Sequence, residues 1–256
     1  MFDQNKIEDL AASQQIKSLD ISMFDDSDVF NLVLQRSEVL FDVNKPGALI
    51  RAFTNGDRAP LLAAIQGKQD VIIHRTLAVL KAEYEALKPV LSKLNMTRIA
   101  DIGCGYAFFD HFAHADFGCD VVLIDIEDND STHFGFAQNA AAYTSLGKAK
   151  AFCVANGAPS DKITPINPNN QDLSAIENVD VAVSFLSCGF HYPVSTYDAF
   201  FRTQVSQSGA LILDVRDARA SDQIDALVQI GQVSRLWKGE KWQRVVVKKP
   251  IFSEEK

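Results

Sequence analysis

Membrane-crossing segments are missing from this sequence: among its 256 residues no uninterrupted apolar run reaches the roughly 18 that a spanning helix needs. The opening residues, Met1-Phe-Asp-Gln-Asn-Lys-Ile-Glu-Asp9, also lack the basic and then apolar run of a secretion signal, so a cytoplasmic protein is expected. Positive charge is short, with 25 Lys and Arg against 33 Asp and Glu and a net charge of −8. Nucleic acid held mainly through its phosphates needs clustered cations and is excluded as a partner, whereas a small acidic substrate held by one local arginine is not. Cysteine is sparse: Cys104, Cys119, Cys153 and Cys188 form no C-x-x-C pair and read as reduced core thiols. Neither three carboxylates nor a histidine pair stands at metal-ligand spacing, so no metal is expected. What is plentiful is apolar content, 47% of the chain, enough for one well-buried α/β domain with an added subdomain.

One dense stretch organises the rest. Arg98-Ile-Ala-Asp-Ile-Gly-Cys-Gly-Tyr-Ala-Phe108 reads as a short buried strand that breaks into a glycine turn and opens a helix. Ile99, Ala100 and Ile102 suit a parallel strand, and Gly103 and Gly105 let the backbone turn tightly and approach a ligand. About twenty residues later a second apolar run, Val121-Val-Leu-Ile124, ends in Asp125, the distance at which a carboxylate takes both hydroxyls of a ribose.

A dinucleotide fingerprint wants a third glycine three positions after Gly105, so that the helix packs closely and turns its N-terminus on a pyrophosphate. Phe108 stands there instead, and Asp101 just before the turn adds negative charge beside such a ligand. An acid suits a cationic ligand. Asp101-Ile-Gly-Cys-Gly105 resembles the first motif of the class I S-adenosylmethionine-dependent methyltransferases, whose cofactor carries an ammonium and a sulfonium and no phosphate. One departure is Ala107, where that family frequently has a further glycine. The resemblance covers about residues 96–250. It implies an α/β fold: a Rossmann-like, seven-stranded, mostly parallel sheet with one reversed strand and helices on both faces; residues 1–95 lie outside the resemblance and read as an N-terminal helical extension before the core at 96–256.

The residues set further expectations. In the extension, Asp25-Asp-Ser-Asp28 reads as a turn or helix cap, after which Val29, Phe30, Val33 and Leu34 fall at helical spacing. These helices either pack on the main domain or form a lid over the acceptor site, where methyltransferases of this class often place one. From Asp70, Ile73, Leu77, Leu80, Tyr84, Leu87, Leu91 and Leu94 share one helix face, Pro89 should kink or divide that helix, and His74 and Arg75 read as solvated. Strands are expected at 98–102, 120–126, 163–166, 179–186 and 210–213, with a closing hairpin at 233–237 and 242–248. The third should sit near an edge because of Pro165 and Pro168. Helices are expected to carry Phe108, Phe109, Phe112 and Ala115, to follow the polar loop 127–130 over 136–155, and to open at Thr196 and Ser221.

Ligands of open α/β sheets bind beyond the carboxyl ends of the strands. By the resemblance, Asp101, Gly103, Cys104 and Gly105 line the methionine end of S-adenosylmethionine and Asp125 takes the ribose. Ile126 walls the adenine, and Asp172, beside Leu173, meets its amino group. A helix N-cap is the competing role for Asp125. Methyl transfer is an in-line displacement, and a hydroxyl acceptor also needs its proton removed. Of the histidines at 74, 111, 114, 133 and 191, only His191 lies directly beyond a central strand. It is the candidate general base, with loop stabilisation or acceptor orientation as alternatives. Tyr192 is a candidate to orient the acceptor or a packing residue, and Arg216, with Asp214 and Asp217, either holds a polar or anionic acceptor or forms a salt-bridged loop. Ser187-Cys-Gly-Phe190 lacks the Asn/Asp-Pro-Pro-aromatic motif of enzymes that methylate nucleic-acid amino groups. The expectation is O-methylation of a small molecule, by a chain for which a homodimer is open. The rivals are a non-catalytic module that binds S-adenosylmethionine or a protein partner and, less favoured, an NAD-dependent oxidoreductase.

Overall fold

The computed structural model describes residues 3–127 and 144–250. The expected loop residues 128–130, the stretch 136–143 and His133 lie outside the described residues. The extension contains α1 (Gln4–Ala12), α2 (Gln14–Lys17), α3 (Asp26–Gln35), α4 (Pro46–Thr54), α5 (Ala59–Ile65) and α6 (Gln69–Leu91). There follow β1 (Arg98–Ile102), α7 (Phe108–Phe117), β2 (Asp120–Ile124), α8 (Leu146–Ala155), β3 (Ile163–Ile166) and β4 (Val179–Ser184). The chain ends in α9 (Asp198–Thr203), β5 (Val205–Arg216), α10 (Ala220–Val228), β6 (Gln232–Lys238) and β7 (Trp242–Lys248). Among the described residues no helix is long and apolar enough to cross a membrane.

The strands form one sheet in the order β3-β2-β1-β4-β5-β7-β6. β1 pairs in parallel with β2 and β4, β4 in parallel with β5, and only β7 runs against its neighbours. Side chains alternate across the sheet with the strand period of two. Ile99, Val121, Leu123, Val181, Ile212 and Val246 join the cluster that holds α1, α3, α6 and α7, while Ala100, Ile102, Val122, Ala182, Leu211 and Leu213 face Phe200, Phe201 and Leu227 of α9 and α10. The extension therefore shares a hydrophobic core with the sheet. At roughly 1.5–3 kcal/mol for each large apolar side chain buried, that shared face is a principal source of stability.

Several expectations need correction. His74 and Arg75 are buried: Arg75 donates to Asp42 Oδ1 at 2.8 Å and to Glu8 at 3.3 Å and covers the Phe41 ring at 4.2 Å, so long-range partners replace water. Pro89 falls in the last turn of α6, which runs through it undivided to Leu91. α8 starts at Leu146, where Ser145 Oγ accepts from Lys148 N at 3.3 Å, so residues 144 and 145 are not helical as expected. β2 stops at Ile124, and β4 stops at Ser184 because Leu186 takes a left-handed φ of 52°. A 3-10 turn, Val194–Tyr197, precedes α9, which delays that helix to Asp198. The Asp25 cluster is a full capping box for α3 with Asp28, and β3 lies at the sheet edge.

Candidate active site

The glycine turn closes at the carboxyl end of β1. Gly103 N donates to Ile124 O at 2.7 Å, its φ is +81°, and a Cβ there would stand 2.1 Å from Ser187 Oγ, so only glycine fits. Ala107 takes φ +60° at the start of α7, a left-handed position that costs a non-glycine residue about 1 kcal/mol and explains why the related motif frequently carries glycine there.

Asp125 follows β2 and reaches back to the turn. It accepts from Gly105 N at 2.9 Å, Thr144 Oγ1 at 3.0 Å and Ile126 N at 2.8 Å, and burial pushes its carboxyl up to about 6. Thr144 was not legible beforehand, since nothing local marks a threonine as a partner nineteen positions away. Asp101 is buried in β1, and Asp110, in the first turn of α7, is fully buried beside it. Asp101 Oδ1 and both Asp110 carboxyl oxygens lack a hydrogen-bond donor. Burial, and then each other's charge, hold the Asp101 carboxyl well above its usual range.

The extension covers this turn. Tyr106 OH donates to Asp28 Oδ1 at 2.7 Å, and the Phe24 ring packs edge-on against Tyr106 and Phe108 at 5.1 and 5.6 Å. Gln35, the last residue of α3, places Oε1 3.7 Å from where a Gly105 methyl would be. Asn31 and Gln35 thus belong to the neighbourhood of the site although they precede the recognisable motif by some seventy residues.

On the other half of the sheet edge, Ser184 Oγ donates to Ile102 O at 2.7 Å and accepts from Cys188 N at 2.9 Å, tying the loop after β4 to the end of β1. Ser187 Oγ and Tyr192 OH are 2.8 Å apart, which brings the Tyr192 hydroxyl next to Gly103. His191 keeps an exposed surface, its ring 5.0 Å from Phe190, and the partial shielding of the imidazole, followed by the Arg216 charge, lowers its pKa. Arg216 lies 5.2 Å over the Phe190 ring and makes no ion pair among the described residues. Asp214 and Asp217 are committed elsewhere: Asp214 takes both Arg244 Nε and Nη2 at 2.6 Å, and Asp217 pairs with Lys238 at 3.5 Å.

Asp172 and Leu173 are not brought to the turn. Asp172 is exposed and caps Ser174 N at 2.8 Å; Ser174 O accepts from Gln204, whose own carbonyl binds Val179 N at the amino end of β4. Six residues past Ile166 the chain has already crossed to the opposite edge of the sheet, and Leu173 packs there against the second core cluster. The residue at the carboxyl end of β3, next to the half-open Ile126, is the buried Asn167, which accepts from Asn169 N at 3.0 Å.

No family model matches the chain, and no curated protein matches it in sequence. Solved structures do. A candidate O-methyltransferase from Nostoc punctiforme superposes with a TM-score of 0.52 over 87% of this chain and 72% of its own, at 10% identity. The S-adenosylmethionine-dependent methyltransferase SibL in its apo form gives 0.49 over 86% and 73%, at 13% identity. The magnesium protoporphyrin IX methyltransferase of Synechocystis, a complex with S-adenosylmethionine, gives 0.46 over 81% and 98%, at 14%. The chain has the class I methyltransferase fold, and at 10% identity the likeness is one of fold.

Proposed function

We propose that this protein binds S-adenosylmethionine at the glycine turn and transfers its methyl group to a hydroxyl of a small-molecule acceptor. The observation that carries this reading is the set of carboxyls around the turn, the buried Asp101 and Asp110 and the half-buried Asp125, which form no ion pair with Lys or Arg among the described residues. A phosphate would be repelled there, and a cation would be welcome. The residues present fit the cofactor: Asp101 for its ammonium, Asp125 for the ribose hydroxyls in place of the Thr144 hydroxyl, and Ile126 with Asn167 beside the base.

When bound, the cofactor supplies an electrophilic methyl on a sulfonium. The chain's own part is positioning and exclusion of water. The Tyr192 hydroxyl is kept neutral by burial, which raises its pKa, so it orients the acceptor as a hydrogen-bond donor or acceptor and does not serve as base. His191 is neutral at pH 7, the form that accepts a proton, because burial and Arg216 both disfavour its cation. Arg216, which lies over the Phe190 ring without an ion pair among the described residues, supports an acceptor that carries negative charge. The contacts of Phe24 and α3 with the glycine turn support the lid reading of the extension.

Calorimetric titration with S-adenosylhomocysteine, with NAD as control, tests the cofactor. Binding in the micromolar range, lost in Asp125→Ala and not seen with NAD, is expected. Binding of NAD in place of the thioether would revive the oxidoreductase reading, and binding of neither would leave a partner-binding module.

A further inference from the structure

Asp110 has no part in the chemistry described so far, yet it is the third residue of α7, wholly buried, and has both carboxyl oxygens without a donor. Its carboxyl lies within hydrogen-bond reach of Asp101, which is 4% exposed and whose Oδ1 is likewise without a donor. Two ionised carboxylates facing each other out of water are strongly disfavoured, and among the described residues these oxygens accept no well-formed hydrogen bond. One shared proton removes that repulsion and joins the two groups in a single charge-assisted O–H···O bond.

We propose that Asp110 is a positioning residue for the cofactor: it shares one proton with Asp101 while the site is empty, and that proton leaves when the cofactor's ammonium arrives. The proposal rests on the reading of the turn as an S-adenosylmethionine site. The balance is simple. A carboxyl–carboxylate pair of charge −1 meets an ammonium of +1, the O–H bond breaks, one proton passes to solvent, and two carboxylates remain around the cation.

Among the described groups facing the pair, Arg244 is the one cation that acts on Asp101, and two of its three guanidinium nitrogens are taken by Asp214. Asp125, from the end of β2, adds like charge to the pair, while the buried Cys104 of the turn and Cys119 after α7, kept protonated by burial and by the acids themselves, bring no charge. α7 also carries His111, whose pKa burial lowers to about 4, so it is neutral. α8 contributes Cys153, whose Sγ points to Ala107 O at 3.8 Å. Arg244 of β7 acts on Asp101 but is held by Asp214 at 2.6 Å. From α6, Glu83 is held by Arg36 at 2.9 Å, and Lys81 lies over the Phe112 ring at 4.7 Å.

Burial pushes the Asp110 carboxyl up to about 7, so affinity for an ammonium-bearing ligand should rise with pH, by as much as about tenfold per unit below that value, and level off above it. Asp125 titrates nearby, at about 6, and must be separated from the pair. The experiment is calorimetry at pH 5.5 to 8 in two buffers of different ionisation heat, with S-adenosylhomocysteine and with 5′-methylthioadenosine, which keeps the nucleoside and lacks the ammonium. The wild-type protein should release close to one proton on binding S-adenosylhomocysteine at about pH 6.5 and markedly fewer on binding methylthioadenosine. In Asp110→Asn, whose amide donates to Asp101 permanently, the difference between the two ligands should vanish. Equal proton release with both ligands in the wild type overturns the proposal, as does an undiminished difference in Asp110→Asn. Should that variant not fold, the two-ligand comparison on the wild type still decides. Failure of S-adenosylhomocysteine to bind at any pH would instead overturn the cofactor reading itself.

Discussion

Two buried aspartates stand at the carboxyl ends of strands on the same face of the sheet, and the fold treats them in opposite ways. Asp214 of β5 receives a two-pronged guanidinium from Arg244, itself enclosed by Phe185, Trp237 and Trp242 at 4.0, 4.8 and 5.3 Å. The series continues through Glu83 to Arg36, so alternating charges run from the sheet into the extension. Asp101 of β1 forms no ion pair among the described residues: Arg244 acts on it only from its place on Asp214, and its near neighbour is a second acid, Asp110. A buried charge that is paired locks two elements together, whereas one left unpaired is costly unless a ligand completes it. The contrast separates the acids that build the molecule from those poised to bind.

The comparison breaks first at Arg244. Arg244→Met leaves the Asp214 carboxylate buried without its partner and should lower unfolding free energy by about 3–5 kcal/mol in denaturant titration; a loss below about 1 kcal/mol would show that the pair contributes little. His191→Ala should leave S-adenosylhomocysteine affinity nearly unchanged and lower turnover of an identified acceptor about 10²-fold, and an unchanged rate would remove it from the mechanism. Asp101→Asn should do the reverse of Arg244→Met: folding stability is kept or raised, and cofactor affinity drops about tenfold, read by calorimetry beside thermal melts.

The unpaired acids also leave a mark on stability against pH. Burial raises the Asp110 carboxyl to about 7, so the folded chain holds a proton that the unfolded chain releases near pH 4. That contribution is complete below pH 4 and is lost as pH rises to about 7. Melting temperature should therefore decline across this window, and Asp110→Asn should flatten the decline; an identical profile in the variant would assign the titration to Asp125. The smallest expected effect is at Ala107, where Ala107→Gly relieves a left-handed residue and should gain up to about 1 kcal/mol.

Legibility followed range along the chain. β1, the turn and Asp125 were readable because a buried run, two glycines and a spaced acid all lie within some thirty residues. The reversed final strand was readable from its apolar pattern together with the resemblance. Arg75 was misread because its partners Asp42 and Glu8 are over thirty residues away, and a charged residue on a helix gives no local sign of such pairing. Asp172 differs for another reason: β3 stops at Ile166, and by Asp172 the chain has already returned to the amino end of β4, which spacing along the sequence does not show. Asp110 looked like an ordinary first-turn acid of α7; only the packing of α7 on β1 turns it toward Asp101. Gln35 and Thr144 reach the turn through tertiary contact alone.

The most direct test of the distinction between building and binding acids is a crystal structure of the chain with S-adenosylhomocysteine. The account predicts ribose oxygens within hydrogen-bond distance of Asp125, the ammonium on the Asp101 side of the glycine turn, and Asp214 still held by Arg244. A ligand lodged elsewhere, with the Asp101 and Asp110 carboxyls still facing only each other, would contradict it.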